Sequence, residues 1–412
     1  MGRFSVKITP PFKSGIGISE WQKLFFDGLF DKRDASAVDN FRSRLSDYLG
    51  VEDIAFVPSA RWGLYHILTH LNIPEGSEVV LSAFNYFAVP AAVVRAGMKP
   101  VFADISRNSL NLDAARIEES ITPQTRAIIA THLCGFSCDL DSLCKIAKKH
   151  NLFLIEDCVQ AVGAEFDGKK LGSIGDAALF SFGLTKNFNA LGGAAITVKN
   201  KDVLSRIRSS LSDVRPCSRV SSMARFLKAL VISGATQEAF FFFIYWIIRL
   251  SDAVNIDIIN KLFREDEALM KGVLKTGLLD GLQAKAGIYQ LSVLEKQTEM
   301  RIARGLKMYS CLSGISDIRV PLLESRARNI FSSCPVFSGH REEVRRFLLK
   351  KGIVTTYGFM RNCANFKLFS AYANNVCLNA GRVEKGVIYL PLFPDLKDER
   401  IKFIADCLKK FP

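Results

Sequence analysis

Lys186 sits on a turn directly after the apolar run 177–182, in the stretch Leu179-Phe180-Ser181-Phe182-Gly183-Leu184-Thr185-Lys186-Asn187, with Ser181 five residues before it. Upstream, a second apolar run from Leu152 to Ile155 ends in Glu156-Asp157, and Gln160 follows one turn further on. A lysine amine forms an imine with an aldehyde, a carboxylate pairs with a protonated pyridine nitrogen, and a strand-end serine binds phosphate. Pyridoxal 5'-phosphate asks for these groups together. The chain is therefore read as a pyridoxal-phosphate enzyme with Lys186 as its catalytic residue.

The elements that must position these groups follow from the hydrophobic pattern. Between Gly50 and residue 198, apolar strand-like runs (Ile54–Pro58, Val79–Ser82, Pro100–Asp104, Ala127–His132, Leu152–Asp157, Ala177–Phe182, Ala194–Val198) alternate with helical patterns at 61–72, 88–97, 111–120 and 140–150. That alternation predicts an α/β fold with a mainly parallel, seven-stranded sheet covered on both faces. Such sheets bind ligands beyond the carboxyl ends of their strands, where Asp157 and the Ser181–Lys186 turn fall. A long helix over 285–310 and a closing helix from Lys397 to Lys410 predict a smaller α+β unit after it. The expected organisation is an N-terminal helical segment over 1–50, a large domain over 51–220, a hydrophobic insertion over 221–265 and a small domain over 266–412.

Composition narrows the alternatives. The 412 residues carry 55 basic and 41 acidic side chains, a formal +14, and residues 199–228 concentrate the excess. Anionic lipid or a phosphorylated substrate fits this better than nucleic acid, since no helix-turn-helix, zinc-finger or RNA-binding signature accompanies it. The 10 cysteines form no CxxC pair, so free thiols in a reducing compartment are expected and no metal site. His66 and His70 lie four apart on a predicted helix but lack the glutamate and third ligand of a zinc site, and are read as packing. The N-terminus lacks a signal-peptide core. The expected location is cytoplasmic, at the inner face of the cell membrane if the insertion touches lipid.

Several stretches, in order, resemble sugar aminotransferases of the DegT/StrS type, within the fold-type-I pyridoxal-phosphate enzymes. They are FRSRLSDYLGVEDIAFVPSARWGL, EVVLSAFNYFAVPAAVVRAGMKPVFADI, THLCGFSCDLDSL, IEDCVQAVGAEFDGKKLGSIGDAALFSFGLTKN, LDGLQAKAGIYQLSVLE and YLPLFPDLKDERIKFIADCL. The resemblance implies Lys186 as the Schiff-base lysine, Asp157 on the pyridine nitrogen, Gln160 on the ring's phenolic side, Ser181 on the phosphate and Tyr86 stacked on the ring. It places Ser59-Ala60-Arg61 on a phosphate-binding helix start and Asn187 beside the lysine, and makes His132 a candidate lining residue. It also implies a homodimer, an amino-acid donor such as glutamate and a keto-sugar acceptor. Lysine, where some relatives carry histidine, favours amino transfer over dehydration.

The departures are specific. Ala60-Arg61 replaces Gly-Thr, and Leu191-Gly192-Gly193-Ala194 lacks the family's acid. The Asn-x-Arg-Met motif near Thr276–Leu279 is lost, and the substrate-side segment around Tyr357–Asn365 is unrecognisable. The stretch from Lys186 to Gln283 is longer than the family's, with the surplus around 220–265. Its apolar runs Ala229–Thr236 and Ala239–Ile248 fall short of the ~20 residues a membrane span needs. A shallow, interface-lying or re-entrant contact with a membrane is the expectation, with a lipid-linked or membrane-delivered substrate as its corollary. A helix pair packed on a dimer partner or over the cleft is the alternative. Rival readings of the whole chain are a catalytically silent relative or another fold-type-I activity.

Overall fold

The computed structural model describes residues 8–13, 20–24, 26, 35–254, 277–373 and 375–411. Parts of the expected 1–50 segment, the 255–265 end of the insertion and Thr276 lie outside them.

All seven expected runs are strands of one sheet: β1 (Ala55–Val57), β2 (Glu78–Ser82), β3 (Lys99–Ala103), β4 (Thr125–Thr131), β5 (Phe153–Asp157), β6 (Ala177–Ser181) and β7 (Ala194–Val198). Their order is β1-β7-β6-β5-β4-β2-β3. The pairs from β6 to β3 are parallel, whereas β7 runs antiparallel to both β6 and β1. Residues of both strand faces are buried, which is why these segments read as apolar runs without polar alternation.

The first covering helices are α1 (Ala35–Leu49), α2 (Ala60–His70), α3 (Ala88–Arg95), α4 (Ala114–Glu119), α5 (Leu140–His150) and α6 (Lys201–Ser210). Their starts follow capping rules: Asp113, Asp139 and Asn200 each accept a backbone N–H of the first turn. α5 ends on Asn151 in the left-handed conformation, φ 52°.

The insertion forms α7 (Arg219–Ala235) and α8 (Glu238–Ala253). The predicted long helix is α9 (Gly281–Leu312), opened by a reciprocal Asp280/Gln283 capping box. Beyond it lie α10 (Arg341–Lys350), α11 (Leu378–Gly386), α12 (Asp398–Lys409) and the antiparallel pair Cys334–Phe337 with Val387–Leu390. Their apolar side chains share one continuous core with a face of the sheet.

Candidate active site

Strand register gathers the predicted residues at one sheet edge. Thr131, the last residue of β4, pairs with Asp157, the last of β5, and Asp157 pairs with Leu179 of β6. Ala194, the first residue of β7, pairs with both Ser181 and Val57. Because β7 runs backwards, the Gly192-Gly193 loop, the Ser181–Lys186 turn and the Ser59 helix start meet at this same edge.

Neighbouring acids on β5 point to opposite faces, as strand geometry requires, and do different things. Asp157 is 4% exposed. Its Oδ1 accepts the Val159 N–H at 3.1 Å, and its Oδ2 accepts the Thr131 hydroxyl at 3.5 Å. Thr131 in turn accepts from Asn85 Nδ2 at 3.1 Å, while Asn85 Oδ1 accepts the Tyr86 N–H at 2.7 Å. Burial pushes the Asp157 pKa up, opposed by the Val159 amide and the positive charge of Lys186. A buried carboxylate held mainly by neutral donors has room for a charged N–H donor, which is what a protonated pyridine offers.

Glu156 is fully buried against the other face. Its oxygens accept the N–H groups of Ile174 (2.8 Å), Gly175 (2.6 Å) and Gly172 (2.9 Å). Burial alone would raise its pKa, but the His132 ring and these amides hold it below the usual carboxylate range. A Cβ at Gly175 would lie 2.6 Å from the Leu154 carbonyl, so only glycine lets that amide approach. His132 Nε2 lies 3.3 Å from Glu156, and its Nδ1 accepts the Cys138 N–H at 3.1 Å. The ring is 0% exposed. His132, one of the candidate lining residues, therefore supports the site from beneath.

His132, Glu156 and Cys158 lie close enough to suggest a metal. Their chemistry argues otherwise: the carboxylate is filled by amides, and burial pushes the Cys158 thiol up to about 12, keeping its proton.

On the Lys186 turn, Ser181 Oγ and Lys186 Cγ both lie 3.7 Å from where a Cβ on Gly183 would sit. The serine and the lysine therefore bracket one small volume, closed by a Lys186 N–H bond to the Gly183 carbonyl at 3.0 Å. Asn187 is turned away from it. Its Nδ2 donates to the Val162 carbonyl at 2.8 Å, and it is 6% exposed. Through this bond Asn187 ties the lysine turn to the segment after Gln160. Gln160 accepts the Cys134 N–H through Oε1 at 2.8 Å, which leaves Nε2 as the donor it can offer. Tyr86 is half-buried, its ring 4.7 Å from that of Phe87.

Ser59 caps α2, accepting the Trp62 N–H at 3.4 Å. The amides of Ala60 and Arg61 follow in the first turn, so the anion-binding character of a helix start survives the loss of the Gly-Thr pair. The altered loop after the lysine carries three successive positive φ values, Leu191 (62°), Gly192 (107°) and Gly193 (83°). A Cβ on Gly192 would meet Arg225 of α7 at 3.2 Å. The unrecognised segment also reaches the site, since Arg361-Asn362 pairs antiparallel with Phe84-Asn85, just before Tyr86. Sequence reasoning missed Asn85, Thr131 and this pairing, because each depends on contacts far apart in the chain.

The sequence profile of the DegT/DnrJ/EryC1/StrS aminotransferase family matches residues 29–227 and 267–409. The chain belongs to that family. It is accordingly a pyridoxal-phosphate-dependent aminotransferase, and the gap in the match falls on the insertion. A pleiotropic regulatory protein of Geobacillus stearothermophilus is 27% identical over 372 residues, 87% of each chain. The UDP-N-acetyl-3-dehydro-alpha-D-glucosamine 3-aminotransferase of Acidithiobacillus ferrooxidans is 28% identical over 83% of this chain and 80% of its own. Among solved structures, Helicobacter pylori PseC, an aminotransferase involved in the biosynthesis of pseudoaminic acid, shares the fold. It has a TM-score of 0.76, 20% identity, and 98% and 99% of the two chains covered.

Proposed function

We propose that this aminotransferase moves an amino group from glutamate to a keto-sugar, working as a homodimer. The observation that carries the reading is the convergence of Lys186, Asp157 and the Ser59 helix start at one sheet edge, in a chain of this family. The sugar acceptor is supported by relatives named for amino transfer to nucleotide sugars.

Pyridoxal phosphate supplies the carbonyl that exchanges the amino group and a ring that draws electrons from the reacting carbon. The chain supplies the rest. Asp157, aimed by Thr131 and Asn85, would keep a proton on the ring nitrogen. The start of α2 and Ser181 would hold the phosphate, Tyr86 would cover the ring, and Gln160 would offer Nε2 to its hydroxyl. Lys186 would hold the group through Nζ, and the same amine, once free, would take the proton from the substrate carbon and deliver it to the cofactor's former aldehyde carbon. Departures at 357–365 and in the Leu191–Ala194 loop set the acceptor apart from the family's common ones. A lipid-linked or membrane-delivered keto-sugar fits, because α7 packs against Leu184 and Leu191 beside the lysine.

Glutamate added to the purified, cofactor-loaded protein without acceptor should release stoichiometric 2-oxoglutarate and bleach the bound aldehyde's visible absorbance. Retained absorbance and no 2-oxoglutarate would overturn the proposed donor.

A further inference from the structure

The second half of α7 and the whole of α8 lie in the stretch the family profile leaves unmatched. Their inner faces are well anchored. Phe226 and Ala229 of α7 are buried with Trp21, Leu191 and Ala286. Phe241, Tyr245 and Ile248 of α8 are buried with Ile8, Leu349 and Val354. The Tyr245 hydroxyl donates to the Leu349 carbonyl at 2.8 Å, and Arg345 holds Asp252 at 2.5 Å. The pair is thus fixed to the body of the protein by specific contacts.

The outer faces are bare. On α8, Phe240, Phe242, Phe243, Trp246, Ile247 and Leu250 are 47–68% exposed, and from 240 to 250 no other position is exposed. On α7 the exposed positions include Val220, Leu227, Leu230 and Val231. A helix turned to water carries charges on that side, and a contiguous apolar patch of this kind marks an interaction surface.

Charge and length choose the occupant. Beside these faces Arg215 and Lys228 are exposed and Arg249 is half-buried, while of the flanking acids Asp252 is held by Arg345 and Asp213 is exposed. A symmetric contact with a second copy would set this positive surface against itself, whereas an anionic lipid surface complements it. Among the described residues no single helix is long and apolar enough to cross a membrane, and the two helices are bent by 83°. They suit the headgroup boundary, where an exposed tryptophan such as Trp246 is favoured.

We propose that the outer faces of α7 and α8 dock on the anionic headgroup region of a lipid bilayer. The contact stands apart from the amino-transfer chemistry; only its consequence for substrate delivery rests on that reading.

The test is flotation of the full cofactor-loaded chain with vesicles of phosphatidylcholine alone and vesicles that also contain phosphatidylglycerol. The chain should float with the second, less with the first, and less as salt is raised. Phe240→Ser/Phe243→Ser/Ile247→Ser, all at exposed positions, should lower the bound fraction roughly tenfold or more, with the bound cofactor's absorbance unchanged. Lys228→Glu should weaken binding to phosphatidylglycerol vesicles alone. Should the triple variant lose its cofactor, Lys228→Glu and a vesicle-induced blue shift of the emission that Trp246→Phe removes decide the matter. Absence of flotation on either vesicle overturns the proposal. So does self-association that the triple variant abolishes in place of vesicle binding, which would make the occupant a second copy.

Discussion

Asp157 has a demanding position: a carboxylate buried at a strand end, with burial pushing its pKa up and a hydroxyl 3.5 Å away as its side-chain donor. Replacing it by asparagine keeps the shape and removes the charge, and should lower kcat/KM roughly 100-fold or more in steady-state assays. Thr131→Val leaves Asp157 in place but deletes its hydroxyl partner. At 3.5 Å this contact is long and weak, so its loss, at about 0.5–1 kcal/mol, should lower cofactor affinity roughly two- to fivefold in absorbance titrations. Unchanged affinity would show that Thr131 is only packing.

Helix α9 shows what holds these groups in place. Gly287 faces the Phe41 ring and Gly305 the Phe331 ring, each so closely that a Cβ would lie 2.3 Å from a ring carbon. Alanine at either site gains about 1 kcal/mol of helix propensity but overpacks the core at a cost of about 1–3 kcal/mol. Against two fully buried rings the overpacking wins, and urea unfolding of Gly287→Ala and Gly305→Ala should show net destabilisation.

The same helix carries Glu295, which accepts the Tyr48 hydroxyl at 2.6 Å, Lys170 at 2.9 Å and Arg328 at 2.8 Å. Burial opposes its ionisation, but these donors pull its pKa down to about 2. A depressed folded-state pKa means that the stabilisation is complete above the ordinary carboxylate value of 4.5 and fades as pH falls towards about 2. Glu295→Gln should therefore flatten the fall in melting temperature across that interval, and a parallel curve would count against the network.

These particulars show where the sequence was legible. The β-strands and most helices were readable because fully buried strands are continuous apolar runs and caps are local. Lys186, Asp157 and Ser181 were readable because each ends or follows such a run. Glu156 gave no signal of its partners, which are backbone amides of 172–175. The amide of Asn85 reaches a threonine 46 residues away, and the bond from Asn187 to the Val162 carbonyl spans 25 residues. The insertion was visible as greasy, yet a helix apolar nearly all round does not say which side it buries.

For the molecule as a whole, the site edge and the insertion are physically coupled through Leu184, Leu191 and α7. Sedimentation of the loaded protein in detergent should give a dimer mass, as the proposed assembly requires; a monomer that retains activity would contradict that assembly. The proposed chemistry depends first on Lys186 bonding to the aldehyde of pyridoxal phosphate. Borohydride reduction of the loaded protein, followed by peptide mapping, tests this most directly. The account predicts a stable pyridoxyl adduct on Lys186 that disappears in Lys186→Ala; an unmodified Lys186, or label spread over surface lysines, would contradict it.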